Sequence, residues 1–170
     1  MNNKLIVIEG ADGTGKGTQV ALLEERLRAE KKYRQVYDFP RYEFSRAGKF
    51  VGEMLKGKHG NIFSVSPYFA AMPYALDRAI VAADIQAVLD LGHVVLCNRY
   101  TTANLIHGGA KFDDLDERAA YIDFVETVEY KELRIPEPGL VICLAVPTDI
   151  AADLVDRKAA RAHLGGEAKD

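Results

Sequence analysis

The segment that most constrains this chain is a glycine-rich turn between an apolar run and an amphipathic stretch. Residues 10–18 read GADGTGKGT and follow the apolar run Leu5–Ile8. The glycines allow backbone conformations and close approaches that a side chain would block. Converging backbone N–H groups, the dipole of the following helix and the charge of Lys16 all attract a phosphate group. The segment therefore predicts a binding site for a nucleotide polyphosphate.

The spacing of this turn fits the P-loop pattern, with one departure at its end. Gly17 stands where a Ser or Thr usually contacts Mg²⁺, and Thr18 comes one position late. Without a hydroxyl at position 17, the loop could instead contact the metal through a water molecule. We expect the whole loop to hold the nucleotide, through Gly10, Ala11, Asp12, Gly13, Thr14, Gly15, Lys16, Gly17 and Thr18.

Apolar runs and the amphipathic stretches between them predict one α/β domain in the 170 residues. Continuous rather than alternating apolarity indicates parallel strands that helices cover on both faces. The predicted strands are Leu5–Ile8, Gln35–Phe39, His93–Cys97 and Leu140–Val146. The predicted helices are Thr18–Lys32, Pro73–Leu91, Leu115–Tyr130 and Thr148–Arg161.

Composition excludes several classes of protein. The 22 basic and 25 acidic side chains are spread along the chain, which argues against nonspecific binding of nucleic acid. The longest apolar run, Leu140–Val146, is too short to span a membrane, and the N-terminus lacks a signal-peptide layout. Cys97 and Cys143 lie in apolar runs, where we expect reduced core residues. We therefore expect a cytoplasmic protein.

Two arginines follow predicted strands and narrow the type of enzyme. The chain has no Asn-Lys-x-Asp stretch of the kind that GTPases use to read the base, and the strand His93–Cys97 ends in Asn98 rather than the Asp typical of ATP-driven motors. Arg99 follows that strand and Arg41 follows Gln35–Phe39, so both lie at the sheet edge where α/β proteins bind ligands. Arginines beside a polyphosphate indicate a second phosphate-bearing substrate. This predicts a nucleoside monophosphate kinase.

These motifs bring the chain to a known family. It resembles the thymidylate kinases along essentially its whole length, through IEGADGTGKGTQ at 8–19, DFPRY at 38–42, YALDRA at 74–79, NRYTTAN at 98–104 and PEPGLVICLAVP at 136–147. The resemblance implies a three-layer sandwich around a parallel sheet in the order 2-3-1-4-5, ATP and Mg²⁺ as cofactors, and a homodimer. It also implies transfer of the ATP γ-phosphoryl group to dTMP, for dTTP supply. A lid would cover ATP at about residues 157–170.

The resemblance assigns roles to individual residues. Asp12 would meet the sugar 3′-hydroxyl and the metal region, Lys16 would hold the donor, and Arg41 and Arg99 would hold the acceptor phosphate. The lid arginines would be Arg157 and Arg161. The residues expected to bind the substrate are Phe39, Arg41, Tyr42, Tyr74, Arg78, Arg99, Asn104 and His107.

Three of these positions concern the base. Tyr74 would stack on thymine and Arg78, four residues later, would bond O4 from the same face of one helix. Asn104 would bond the base edge. The Ala-rich face of this helix, Pro73–Leu91, is either a dimer surface or core packing.

The chain also departs from the family pattern. Asn98 replaces an Asp, Ala103 replaces a frequent Ser, and His107 replaces a tyrosine that crowds out a ribose 2′-hydroxyl. The chain stops at Asp170 inside the lid motif, so we expect a truncated C-terminus without the last strand. A kinase for another nucleotide or a deoxynucleoside, or a nucleotide-binding fragment without turnover, stays open as an alternative.

Overall fold

A four-stranded parallel sheet organises the chain. The computed structural model describes residues 3–147 and 149–155. Its strands run in the order β2-β3-β1-β4, and every neighbouring pair is parallel. The strands are β1 (Leu5–Gly10), β2 (Arg34–Asp38), β3 (Val94–Asn98) and β4 (Leu140–Leu144). The predicted α/β class and the order of the first four strands are confirmed, and each predicted strand is recovered with small changes at its ends.

Among the described residues, six α-helices precede β4 along the chain; the first packs on β1 and β3, and the fourth packs on β3. They are α1 (Lys16–Ala29), α2 (Arg46–Leu55), α3 (Pro67–Ala79), α4 (Ala82–Asp90), α5 (Thr101–Gly109) and α6 (Leu115–Glu126). A 3₁₀ turn occupies Ile62–Ser64, and residues 149–155 are helical apart from these elements. Within the described part of the chain, no helix is both long and apolar enough to cross a bilayer.

The prediction of one helix over Pro73–Leu91 is wrong. The chain forms α3, which begins at Pro67, and then α4, with a break at Ile80 and Val81. A proline is well suited to the first turn of a helix, where its missing N–H costs nothing. At the break Val81 donates its N–H to Arg78 rather than to the residue four positions back. At this break Val81 is buried and Ile80 is exposed.

Two further helices were not predicted. The hydroxyl of Ser45 caps α2 by accepting from Gly48 N at 2.7 Å, and α5 begins three residues after β3 ends. The predicted helix Leu115–Tyr130 is α-helical only to Glu126 and then widens into a π-helical segment, Thr127–Glu132. The predicted helix Thr148–Arg161 is helical at residues 149–155. Its remainder, the lid at 157–170, Arg157 and Arg161 lie outside the described residues.

The core lies where β1 and β3 meet α4. Leu5, Val95 and Ile85 are fully buried there. Cys97 is also buried and free, and its burial raises the pKa of the thiol. Cys143 is free but exposed, so the prediction that it belongs to the core is wrong. Its strand, β4, is at the edge of the described sheet, and most of its side chains are exposed.

Candidate functional site

The glycine-rich turn links β1 to α1 at the carboxyl edge of the sheet. Gly10, Gly13 and Gly15 have φ angles of 151°, 80° and 84°, which favour glycine. A Cβ on Gly13 would collide with the carbonyl oxygen of Ala151, because the helical residues 149–155 lie against the loop. The conformations predicted for the loop are therefore present.

Lys16 folds back over this loop. Its ammonium donates to the carbonyl oxygen of Ala11 at 2.8 Å and lies 3.8 Å from Asp12 Oδ1. The lysine is buried, and burial together with the nearby charge of Arg99 lowers its pKa. Thr14 Oγ1 also donates to Ala11, at 2.8 Å. A compact group of donors thus surrounds the turn.

Arg99, the residue after β3, has a left-handed backbone conformation. Its φ of 61° is unusual for a residue with a side chain, and its N–H still donates to Ile8 O at 3.0 Å. The side chain turns to the glycine-rich loop, where Nη2 donates to Asp12 Oδ1 at 2.5 Å and Nη1 lies 3.6 Å from the buried carboxylate of Glu9. Backbone strain of this kind concentrates at functional sites.

His107 closes this charged cluster from α5. Its Nε2 lies 3.1 Å from Arg99 Nη1. Burial and the charge of Arg99 lower the pKa of His107, so the neutral ring is favoured and Nε2 can accept a hydrogen bond from the Nη1–H of Arg99. The imidazole of His107 and the carboxylate of Asp12 thus hold the two Nη nitrogens of Arg99.

Arg41 lies after β2 and is tied to Asp77 of α3. Its backbone N–H donates to Asp77 Oδ2 at 2.7 Å and its Nε lies 4.0 Å from Oδ1. The side chain of Ser45 donates to the same Oδ1. Arg41 Nη1 is buried and has no hydrogen-bond partner among the described residues. The carbonyl side of the Asn98 amide, at the end of β3, is likewise buried and unpartnered.

A cavity of about 450 Å³ begins at Asp12 and Arg99 and extends between α3 and α5. Other predicted residues that line it are Phe39, Tyr42, Tyr74, Arg78, Asn104 and His107, with Ala103 beside them. Arg41 is not one of the described residues that line it. Lining residues that sequence reasoning missed are Pro40, Leu55, Ile62, Pro67, Ala70, Ala71, Gly108, Lys111 and Tyr121. No signal in the sequence pointed to these residues. Most of them come from α2 and α5, which were not predicted, and from the start of α3, which lies before the predicted helix.

Aromatic rings form part of the cavity wall. Burial raises the pKa values of Tyr42 and Tyr74, and it raises that of Tyr121 to about 12, so all three phenols are neutral near pH 7. The Tyr121 hydroxyl donates to Asn104 O at 3.1 Å, and its ring packs on Gly108 so closely that a Cβ there would collide with it. The wall around the middle of the cavity is thus apolar with few polar atoms.

The far end of the cavity holds two buried polar side chains. Arg78 Nε and Nη2 donate to the carboxylate of Glu129 at 2.7 and 2.6 Å, and Nη1 donates to Tyr100 O at 3.2 Å. Asn104 Nδ2 donates to Glu129 at 2.8 Å and to Ala71 O at 3.2 Å. Glu129 was not predicted, because a lone acidic residue on a helix usually faces solvent.

Known proteins are similar to this chain in sequence and in fold. The family model described as thymidylate kinase matches residues 8–169. A thymidylate kinase of Mycobacterium tuberculosis (strain H37Rv) is 36% identical over 151 residues, 88% of this chain and 69% of the relative. One of Pelotomaculum thermopropionicum is 34% identical, over 85% of this chain and 62% of the relative. The fold is similar to that of Candida albicans thymidylate kinase, with a TM-score of 0.68, 24% identity, and coverage of 89% of this chain and 66% of that one. The chain therefore spans about two thirds of the length of these proteins.

Proposed function

Because this chain belongs to the thymidylate kinase family, we propose that it transfers the γ-phosphoryl group of ATP to the 5′-phosphate of dTMP, yielding ADP and dTDP. One observation carries the proposal. A single cavity joins the guanidinium of Arg99, beside the glycine-rich loop, to the buried amide of Asn104 and the buried guanidinium of Arg78. Cations at one end suit a phosphate and polar atoms in an apolar setting at the other suit a base.

The glycine-rich loop would hold the donor. Backbone N–H groups at the start of α1 and the ammonium of Lys16 would neutralise the β- and γ-phosphates of ATP. Phosphoryl transfer asks a protein for positioning and charge neutralisation more than for covalent chemistry. The buried position of Lys16 supports this role, because its charge is less screened there than at the surface.

The acceptor phosphate would lie against Arg99 and near Arg41. Two anions must approach each other for transfer, and guanidinium groups relieve that repulsion while fixing the geometry. Arg41 Nη1, buried without a partner among the described residues, is a donor that a bound phosphate would satisfy. At the other end Tyr74 would stack on the base, and Arg78 and Asn104 would bond its edge.

Mg²⁺ fits the oxygen atoms at this edge of the sheet. The exposed carboxylate of Asp12 and the Asn98 amide oxygen, which has no hydrogen-bond partner among the described residues, are hard ligands. Gly17 supplies no hydroxyl, so Asp12 would be the main protein contact, directly or through water. When bound, the ion would offset charge that develops on the transferring phosphoryl group.

We further propose a homodimer that buries an apolar surface of α2 and α3. The α2–α3 face consists of the apolar residues Ala47, Phe50, Pro73, Leu76, Ala79 and Ile80 together with Arg46. Leu76 and Ile80 are about half exposed, at 48% and 56%. Contiguous exposed apolar side chains of this kind mark interaction surfaces.

We also propose a cytoplasmic location. The proposed use of ATP and the two free cysteines agree with it.

An acceptor panel tests the proposed reaction. The chain is mixed with Mg·ATP and, separately, with dTMP, dUMP, dCMP, AMP and thymidine, and products are separated by chromatography. We expect dTDP from dTMP and no dTMP from thymidine. Thymidine lacks the 5′-phosphate that Arg99 and Arg41 would bind. Phosphorylation of thymidine, or of AMP in preference to dTMP, would contradict the proposal.

A further inference from the structure

The buried carboxylate of Glu129 accepts four hydrogen bonds from three side chains. It lies on the π-helical segment with its side chain 1% exposed. Oε1 accepts from Arg78 Nη2 at 2.6 Å and from Asn104 Nδ2 at 2.8 Å. Oε2 accepts from Arg78 Nε at 2.7 Å and from Thr101 Oγ1 at 2.8 Å. Both oxygens therefore accept two bonds, and π-helical turns recur at functional sites.

These bonds fix which atom Asn104 offers to the cavity. The two N–H groups of its amide are used by Glu129 and by Ala71 O. A carboxylate paired with an arginine only accepts hydrogen bonds, so it cannot face the amide oxygen of Asn104. The amide is thereby held with its nitrogen turned to Glu129, and Oδ1 is the atom left to accept a bond from a ligand.

The same carboxylate leaves Arg78 as a donor. Three of the five N–H groups of the guanidinium are engaged, by Glu129 and by Tyr100 O. One N–H group on each Nη nitrogen is left over. Since Arg78 and Asn104 both line the cavity, its far end offers a donor beside an acceptor.

This order of donor and acceptor matches only one kind of pyrimidine edge. Thymine and uracil present a carbonyl oxygen, which accepts, next to an N3–H group, which donates. Cytosine presents an amino group, which donates, next to an unprotonated N3, which accepts. The thymine edge therefore complements Arg78 and Asn104, whereas the cytosine edge would set donor against donor and acceptor against acceptor.

We propose that Glu129 is a positioning residue that fixes the amide orientation of Asn104 and the guanidinium of Arg78, and so selects a pyrimidine with a carbonyl and N3–H edge over an amino-pyrimidine. The proposal rests on the proposed function, because it takes a pyrimidine monophosphate as the ligand of this cavity. A buried site built for one hydrogen-bond pattern rejects the reversed pattern strongly, because its polar groups are left unpaired.

The first test uses the unaltered chain and a matched pair of ligands. 5-Methyl-dCMP has the methyl group, sugar and phosphate of dTMP and differs at the base edge, where N3 and the 4-amino group reverse the pattern. We expect isothermal titration to show that 5-methyl-dCMP binds about 100-fold more weakly than dTMP or worse. Equal affinity would overturn the proposal.

The second test changes Glu129. In Glu129→Gln an NH2 group, which donates, replaces one carboxylate oxygen, which accepts. This group would face the N–H donors of Arg78 and Asn104, so the amide of Asn104 can turn over. We expect the ratio of the two dissociation constants to fall by about 10-fold or more. Glu129→Asp keeps an acceptor-only group and should retain the preference even if both ligands bind more weakly. Thr101→Val is the matched control, because it removes one bond to Glu129 without changing the orientation of Asn104.

The outcomes separate this inference from the proposed function. Binding of ATP to each variant shows whether the fold and the glycine-rich loop survive. A Gln variant that binds ATP normally and keeps the full preference for dTMP would overturn the role of Glu129. If that variant does not fold, the double variant Arg78→Gln/Glu129→Gln is used, because it removes both buried charges together. A double variant that keeps the full preference for dTMP over 5-methyl-dCMP would also overturn the role of Glu129. An unaltered chain that binds ATP but neither dTMP nor 5-methyl-dCMP would instead refute the proposed function.

Discussion

Arg99 reaches Asp12 across the gap between the end of β3 and the glycine-rich loop, and the two side chains form an ion pair at 2.5 Å. The Asp12 side chain is 83% exposed, so the pair contributes only about 0–1 kcal/mol to the free energy of unfolding. Its significance is positional. The pair holds the guanidinium toward the loop, and an acceptor phosphate entering the cavity would compete with Asp12 for the same N–H groups.

Replacing Arg99 should separate activity from stability. Arg99→Ala should lower kcat/KM for dTMP by about 10²–10³-fold, because a charge that faces the acceptor phosphate is lost. Arg99→Gly loses the same charge but relieves the positive φ, so it should be more stable than the Ala variant by about 1 kcal/mol in urea unfolding. Near-normal turnover in either variant would contradict the role of Arg99.

Replacing Lys16 should affect the donor. Lys16→Ala removes the buried ammonium over the loop and should reduce kcat by about 100-fold or more in a coupled ADP assay. Lys32→Ala is the control, since Lys32 is an exposed residue after α1 whose ammonium pairs with Glu30. Equal rates for the two variants would show that the loop does not hold the ATP phosphates as proposed.

The lowered pKa of His107 predicts a dependence of stability on pH. Its ordinary value is 6.5, and burial together with Arg99 lowers it in the folded protein. As pH falls below about 6.5, the unfolded chain takes up a proton before the folded protein does, so the free energy of unfolding decreases. His107→Gln removes this titration. The stability of the unaltered chain relative to the variant should therefore decline between about pH 7.5 and about pH 5.5 in urea unfolding, and a rise over that interval would contradict the shift.

Much of this could be predicted from the sequence because the signals were local. The apolar runs gave the strands, and the glycine spacing gave the loop that Lys16 covers. The far end of the cavity could not be predicted, since Glu129, on the π-helical segment after α6, meets Arg78 of α3 only through tertiary packing. Cys143 is in an apolar run that predicts burial, but its side chain is exposed on β4, the edge strand of the described sheet. The expected strand order without a fifth strand already placed β4 at that edge, and the apolar run outweighed it in the prediction for Cys143.

Two adjacent glycines of α5 give a matched test of packing in the cavity wall. A Cβ on Gly108 would collide with the ring of Tyr121, whereas one on Gly109 would lie 3.7 Å from Arg118 Cγ, an ordinary contact. Gly108→Ala should lower the free energy of unfolding by about 1–3 kcal/mol through overpacking. Gly109→Ala should be neutral or stabilising because alanine favours helices. Equal effects in thermal unfolding would argue against this packing.

The proposed dimer can be tested on the α2–α3 face. Ile80→Glu places a charge on that largely apolar surface and should shift the chain to monomer in sedimentation velocity. Leu91→Glu is the control, because Leu91 is 72% exposed at the end of α4 and outside the α2–α3 face. Unchanged sedimentation of the Ile80 variant as a dimer would place the interface elsewhere.

The proposed reaction is tested most directly by following label from [γ-³²P]ATP with the unaltered chain, Mg²⁺ and dTMP. We expect the label to appear in dTDP, with one ADP formed for each dTDP and no product when dTMP is left out. Label released only as inorganic phosphate, or no transfer to dTMP despite binding of both ligands, would contradict the assignment of this cavity as the site of phosphoryl transfer.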